Sequence, residues 1–267
     1  MRLLAVCGAL LLVGAGCGGG SKSTQSSATN QNPIAQAAAK TSRAGTVKID
    51  FGISGKAVKG GGRGVFDTST NGAGRLAMTV EGNSGGATTV DTISSGALLY
   101  IRSPVFQQVM PAGKQWVRVD LAQLAKQNGV DLGSLVDSNP TPTGALAYLR
   151  GSTGPVQDLG KEKVKGENTT HYRTTIDLEQ AAKRAKGSTR QSIRRVIDVA
   201  GVTKLPVEVW VGDDGYVRKV TYAQHSGRNQ SAKITMEMYD FGSPVTITPP
   251  PAAMVIDFQK MLSPQGG

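Results

Sequence analysis

Hydrophobic and polar residues alternate along much of the chain, as is typical of strands that bury one face. The clearest case follows Thr46, where Val47, Ile49, Phe51 and Ile53 fall on one side and polar residues on the other. With turns about every 8–12 residues, this alternation favours an antiparallel sandwich or barrel over parallel α/β units. Further strands are predicted at residues 63–68, 76–80, 88–94, 98–102, 116–119, 156–165, 169–176, 205–211, 216–224 and 232–239.

Glycine-rich segments supply the predicted turns. The cluster Gly60-Gly61-Gly62 predicts a turn before the second strand, because it lacks the Lys-Ser/Thr and the helix of a phosphate-binding loop. Asn71-Gly72 is typical of a two-residue hairpin. Asp213-Asp214-Gly215 predicts a turn rather than a calcium loop, since no further acidic residues follow at ligand spacing.

Helical spacing of apolar residues interrupts the strands at several points. Asn32 followed by Pro33 predicts the cap and first turn of an alanine-rich helix that ends near Arg43. Asp120 and Asp177 are predicted caps of later helices. The remaining helices are predicted at residues 121–127, 142–150, 178–186, 189–200 and 254–262. Together these elements predict one α+β domain with about ten antiparallel strands.

The first 16 residues have the organisation of an export signal. Arg2 gives a positive charge, and the apolar run Leu3–Val13 is too short to span a bilayer, which takes roughly 20 residues. Gly14-Ala15-Gly16 then precedes Cys17, and this segment resembles the lipobox of bacterial lipoproteins, with glycine at position 14 where leucine is usual. The resemblance implies cleavage before Cys17 and acylation of that cysteine. The alternative is an ordinary secretory signal in which Cys17 is incidental.

Residues 17–32 are predicted to form a flexible tether. They are rich in Gly, Ser, Thr, Gln and Asn, with almost no apolar side chains to bury. As a random coil this segment spans about 20 Å, enough to hold a domain of residues 33–267 clear of lipid headgroups. The predicted location is the extracytoplasmic face of the cell membrane, with the lipid anchor in that membrane.

Cysteine usage and charge limit the chemistry of the exported part. Cys7 leaves with the signal and Cys17 carries the lipid, so no disulfide and no thiolate metal site is expected. The chain has 30 Lys and Arg against 19 Asp and Glu, a formal net charge of +11. For an exported protein this charge favours anionic lipid headgroups or wall polymers over nucleic acid, although solubility alone would also account for it.

Groups suited to catalysis are sparse. His171 and His225 are the only histidines in the sequence, and neither belongs to a pair with metal-ligand spacing. The pattern Gly-x-Ser-x-Gly occurs at Gly82–Gly86, but in a predicted turn between two strands and not at the strand-to-helix turn of a nucleophile elbow. His171 is predicted to be a half-buried strand residue, and His225 to lie in a turn at a strand end. We therefore expect no enzymatic activity, no metal and no cofactor.

The densest group of basic residues lies on two predicted helices. It forms either a rim that attracts anionic headgroups or simply the solvated face of those helices, with Glu179 and Asp198 as a partial balance. Its members are Lys183, Arg184, Lys186, Arg190, Arg194 and Arg195.

A family resemblance rests on segments spread over the chain. They are Leu99–Ile101, Gly113–Val117 leading into Asp120-Leu121, Ala145–Gly151, Gly166 with Thr170–Tyr172, Leu205–Val211, Asp214–Val220 and Tyr239–Val245. In this order they resemble the actinobacterial LppX/LprG-type lipoproteins, relatives of the LolA/LolB lipoprotein carriers. The likeness runs from Thr46 to Pro250 and is strongest over Leu205–Val220. It implies a single strongly curved antiparallel sheet, a half-barrel, with helices closing the concave side over an apolar cavity for acyl chains.

The function implied is that of a binding protein. Such a protein, expected to be a monomer, would shelter the acyl chains of a lipid, glycolipid or lipoprotein as a carrier or chaperone across the envelope. The alternative is a non-transporting sensor or scaffold of the same fold, with the concave face filled by its own side chains. Alternation of strand residues, independently of the resemblance, predicts that the cavity is lined by Phe51, Leu76, Met78, Val80, Leu98, Tyr100, Met236 and Met238.

Overall fold

The computed structural model describes most of the region after residue 31. The described residues are 32–68, 73–82, 86–127, 146, 149, 154–184, 190, 191, 193, 194, 197, 198, 201–225 and 231–262. The predicted signal, Cys17, nearly all of the tether and the Asn71-Gly72 turn lie outside this set. Residues Gln31–Gly267 belong to one compact unit.

Among the described residues, twelve strands form a single open, curved sheet. They are β1 (Thr46–Gly55), β2 (Val58–Asp67), β3 (Gly74–Gly82), β4 (Ala87–Ser95), β5 (Leu98–Arg102), β6 (Trp116–Asp120), β7 (Gln157–Val164), β8 (Glu167–Asp177), β9 (Lys204–Gly212), β10 (Val217–His225), β11 (Ser231–Tyr239) and β12 (Val255–Asp257). The order across the sheet is β12-β6-β5-β4-β3-β2-β1-β11-β10-β9-β8-β7. Neighbouring strands are antiparallel except β12, which pairs in parallel with β6.

Short helices follow or precede the strands. They are α1 (Pro33–Thr41), α2 (Pro104–Gln107), α3 (Leu121–Gln127), α4 (Leu178–Arg184) and α5 (Phe258–Leu262), with a 3₁₀ turn at Ala252–Met254. The predicted cap of α1 is confirmed, because the Asn32 side chain accepts hydrogen bonds from the backbone N–H groups of Ile34 and Ala35. Asp120 and Asp177 likewise accept hydrogen bonds from backbone N–H groups three residues further along.

Two sequence predictions of local structure are wrong. Gly60, Gly61 and Gly62 lie inside β2 and not in a turn, and the chain reverses before them, at Lys56 and Ala57. The predicted helix at 254–262 is strand over Val255–Asp257 and becomes helical only from Phe258. In both cases pairing with a neighbouring strand decides the conformation: β2 pairs with β1 and β3, which adjoin it in sequence, and β12 pairs with β6, which is distant in sequence.

The main core lies on one face of the sheet. There α1 lies against β9 and β10, and its Ile34, Ala37 and Ala38 belong to the same buried cluster as Ile49 and Met238 of the central strands. We call this concave side of the sheet, covered by α1, the inner face and the opposite side the outer face. Leu146, Leu149 and Ile193, all helical and at most 3% exposed, belong to the same core. Helices therefore cover part of the inner face, as predicted.

Candidate ligand-binding site on the inner face

The inner face is apolar across its central strands. Phe51 on β1 lies opposite Met236 on β11, and Ile49 lies opposite Met238. On the other side of β1, β2 places glycine opposite Ile49, Phe51 and Ile53, with Gly62 opposite Phe51, whereas Val47 lies opposite Phe66. Met236 and Met238 are each 1% exposed, so this part of the face is filled by packed side chains.

Six of the eight predicted lining residues share this face. Beyond Gly62, the register places Met78 of β3 next in the row, followed by Val90 of β4. Met78 is half-buried against the core. The six residues are Phe51, Leu76, Met78, Val80, Met236 and Met238. Their contact with a ligand stays a prediction.

Leu98 and Tyr100 lie on the outer face, so their placement with the other six was wrong. Tyr100 pairs with Ile93, and both belong to a separate buried cluster with Trp116. The reason is the sequence Leu98-Leu99-Tyr100-Ile101, an uninterrupted apolar run whose two faces cannot be told apart by alternation. The register instead assigns Leu99 and Ile101 to the inner face, through Ile101 paired with Thr92.

A stripe of glycines on β2 was missed as part of the site. Gly60, Gly62 and Gly64 alternate along the strand and all face inward, between the apolar rows of β1 and β3. A Cβ built on Gly62 would meet the carbonyl oxygen of Ala77 and lie 2.7 Å from the Cα of Met78. The strands thus approach too closely for side chains, which fits a sharply curved sheet. Their spacing at every second position was the signal in the sequence that could have identified them as strand residues of one face.

The two ends of the inner face differ in burial. At the end where β1 begins, α1 covers the sheet, and Val47, Val217 and Val220 are at most 2% exposed. At the end where β1 and β3 finish, Ile53 and Val80 are half-buried, as is Tyr222 near the end of β10. We call this second end the open end. These three side chains are therefore more exposed than those beneath α1.

The charged groups of β1 lie on the outer face. Asp50 accepts hydrogen bonds from Lys165 at 2.6 Å and from Tyr239 at 2.9 Å, and Arg63 is 3.6 Å away. Burial raises the pKa of Asp50, but the hydrogen bonds from Lys165 and Tyr239 outweigh it and leave the pKa below its usual range. These contacts hold the β7–β8 turn against β1 from outside, leaving the inner face free of these charges.

His171 lies on the outer face of β8 and is 8% exposed, more buried than predicted. Its ring stacks on Trp210 with centroids 4.0 Å apart. Glu162 is within 2.9 Å of His171 Nδ1 and accepts a hydrogen bond from Trp210 Nε1 at 2.7 Å. Hydrogen bonds from Trp210 and His171 lower the pKa of Glu162 below its usual value. His171 is thus packed into a strand cluster, and His225 ends β10.

The predicted basic rim is described in part. Lys183, Arg190 and Arg194 are exposed, and the two arginines line a shallow depression of about 380 Å³ together with Asp198. Lys186, Arg195 and the side chain of Arg184 lie outside the described residues. The described side chains are solvated, and their role as a rim stays a prediction.

Two further searches concern the described residues only. No group of three or more His, Cys, Asp and Glu side chains among them is arranged to hold a metal ion. Among these same residues, no helix is long and apolar enough to cross a membrane.

Comparison with known sequences gives two relatives. No known protein-family profile matches the chain. An uncharacterised 31.2 kDa protein of Streptomyces griseus, from the rplA–rplJ intergenic region, is 31% identical over 163 residues, 58% of this chain and 52% of that protein. A Streptomyces coelicolor protein named "putative lipoprotein" is 30% identical over 159 residues, 58% of this chain and 46% of that protein. The chain spans about half the length of these curated relatives.

Comparison with solved structures supports the fold. LprF from Mycobacterium bovis matches with a TM-score of 0.50 and 14% identity, over 82% of this chain and 95% of LprF. LppX from Mycobacterium tuberculosis matches with a TM-score of 0.48 and 15% identity, over 82% of this chain and 100% of LppX. The predicted resemblance is confirmed: the chain has the curved-sheet fold of an actinobacterial lipoprotein, LprF, and its sequence relatives include a protein named as a lipoprotein.

Proposed function

We propose that this protein binds the acyl chains of a lipid, glycolipid or lipoprotein on the inner face of its sheet, as an anchored carrier or chaperone of the cell envelope. The observation that carries the proposal is the row of apolar side chains from Met236 through Phe51 to Met78, interrupted by glycine instead of polar residues. Apolar surface of this kind favours an acyl chain over water. The half-buried residues at the open end offer the route of entry.

Native mass spectrometry tests the proposal directly. The sample is the acylated full-length chain, produced in a Streptomyces host and isolated without exchange into foreign lipid. This chain should carry a bound lipid in addition to its own anchor. The anchor and the cargo are distinguishable because only the cargo is lost on collisional activation. A spectrum that contains the acylated chain alone would contradict the proposal.

A second candidate function is a sensor or scaffold of the envelope that carries no lipid. Its support is the packing of Met236 and Met238, which are each 1% exposed, so that the protein's own side chains occupy this part of the inner face. This candidate would be favoured if the native mass spectrum shows no bound lipid and if a treatment that removes lipid leaves the free energy of unfolding unchanged.

The anchored location rests on the N-terminal sequence and has its own experiment. Metabolic labelling with an alkyne analogue of palmitate should mark the wild-type chain and leave Cys17→Ser unmarked. Equal labelling of the two chains would contradict acylation at Cys17 and with it the membrane anchor.

A further inference from the structure

An exposed apolar tip lies in the loop between β5 and β6, which contains α2. Val105 is 60% exposed and Val109 is 68% exposed, and both rank among the exposed large hydrophobic residues of the described chain. Val105 lies in α2, and Val109 lies in the turn that follows this helix, closed by the hydrogen bond from the Val109 N–H to the Phe106 carbonyl. One short loop therefore presents both exposed valines to solvent.

The base of this loop is held firmly by the rest of the chain. Ser103, at the start of the loop, is 4% exposed, and its carbonyl accepts a hydrogen bond from the Phe106 N–H. At the other side, the Gln115 N–H donates to the carbonyl of Met254, which is itself 38% exposed. The exposed valines are therefore presented by a fixed base, and Met254 adds apolar surface beside that base.

The charge around the loop suits an anionic surface. Between Leu98 and Val119 the sequence contains Arg102, Lys114 and Arg118 and no acidic residue. Two carboxylates from neighbouring strands reach this region, but Asp91 is paired with Arg102 at 2.7 Å and Asp257 with Arg118 at 2.8 Å. No net negative charge from these groups opposes an approach to acidic headgroups.

The direction of the strands places this loop at the open end of the inner face. Strands β1, β3 and β5 run in the same direction, since each is antiparallel to the strand between. The end of β5, where the loop starts, is therefore on the same side as Ile53 and Val80. An apolar tip and the half-buried end of the apolar row face the same side of the molecule.

We propose that the β5–β6 loop docks on the membrane: Val105 and Val109 enter the boundary between headgroups and acyl chains of an anionic bilayer. Docking turns the open end of the inner face toward the lipid. The proposal rests on the anchored location under Proposed function, because a tether that reaches about 20 Å keeps the domain within reach of the bilayer surface. It does not require a bound cargo lipid.

Single labels on the anchored chain measure this docking. The acylated full-length chain has no free thiol if Cys17 carries lipid and Cys7 is removed, so one introduced cysteine takes one fluorophore. Val109→Cys is labelled with the polarity-sensitive dye NBD in vesicles of equimolar phosphatidylcholine and phosphatidylglycerol containing doxyl-labelled lipid. Asn168→Cys, an exposed site at the opposite end of the sheet, is the matched control.

The Val109 label should show blue-shifted emission and quenching by the doxyl lipid, and the Asn168 label neither. A Val105→Asp change in the labelled Val109→Cys chain should lower the ratio of docked to undocked molecules about tenfold, because a carboxylate replaces an apolar side chain in the interface. If the chains float with the vesicles but both labels show equal, water-like emission, the docking proposal is overturned. The anchor would not be contradicted by that result. A chain that does not float contradicts the anchor itself, and docking falls with it.

Discussion

The hydroxyl of Thr41, in the last turn of α1, accepts a hydrogen bond of 2.9 Å from the backbone N–H of Val217 at the start of β10. The same hydroxyl donates to the carbonyl of Ala37 at 2.8 Å. Both Thr41 and Val217 are fully buried. One side chain therefore accepts a hydrogen bond from a backbone N–H of the sheet and holds the helix that covers the inner face.

Replacement of Thr41 by valine tests this link between α1 and β10. Valine has the same shape but no acceptor, so the buried N–H of Val217 would lose its partner, which costs about 1–3 kcal/mol. We expect a loss of that size in the free energy of unfolding, measured by urea denaturation of the full chain. Thr41→Ser keeps the hydroxyl and should lose clearly less. An unchanged free energy of unfolding in Thr41→Val would contradict a stabilising contribution of this hydrogen bond.

A side chain on the inward glycine stripe should destabilise the sheet. Gly62→Ala would bring a Cβ within 2.7 Å of the Cα of Met78 and against the backbone of Ala77, so β2 and β3 would have to separate. We expect a loss of about 1–3 kcal/mol, typical of overpacking. Gly82→Ala is the matched control, because a Cβ there meets nothing within 4 Å. The midpoint of urea unfolding separates the two, and an unchanged midpoint for Gly62→Ala would contradict the close approach.

Alternation predicted the strands well wherever one face is buried and the other polar. In β1 and β11 the apolar residues Ile49, Phe51, Met236 and Met238 occupy the inner face, and each is separated from the next by a polar residue or glycine. The capping residues were also predictable, because Asn32 stands next to a proline and its bonds are local.

Pairing between strands determined the features of the sheet that the sequence pattern did not predict. Leu98 and Tyr100 were placed on the wrong face because four apolar residues in a row carry no period of two. The tail from Val255 became a strand because β6 offers a free edge, and residues this distant in sequence give no local signal of their pairing. The glycines of β2 were assigned to a turn, because glycine has a low propensity for strands.

Two adjacent residues of β3 distinguish the faces in a binding experiment. Met78 faces inward, whereas Thr79 is exposed on the outer face beside Thr89. If acyl chains occupy the inner face, Met78→Asp should lower the occupancy of bound lipid in native mass spectra at least about tenfold, because a carboxylate would be desolvated beside the lipid. Thr79→Asp introduces the same charge one residue away and should keep wild-type occupancy. Equal occupancy in the two variants would argue against the inner face as the site.

Protonation of Asp257 should loosen the C-terminal strand. Arg118 donates to Asp257 at 2.8 Å, and this hydrogen bond lowers the pKa of Asp257 below its usual value despite partial burial. A carboxyl with a lower pKa in the folded chain stabilises it fully above the unfolded-state pKa, about 4, and loses that contribution as the pH falls through the folded-state value. We therefore expect amide exchange of β12 to accelerate below about pH 4, relative to the central strands.

Asp257→Asn is the control for this pH dependence. Asparagine can still accept the hydrogen bond that Asp257 takes from the Gln259 N–H at 2.9 Å, so the start of α5 is preserved. Because the Arg118 side chain is 44% exposed, the ion pair contributes about 0.5–1 kcal/mol, and the variant should exchange faster at neutral pH by a corresponding factor of about 2–5. Its exchange in β12, corrected for the intrinsic rate, should then change little on acidification. A variant as sensitive to acid as the wild type would contradict the role of Asp257 in this loosening.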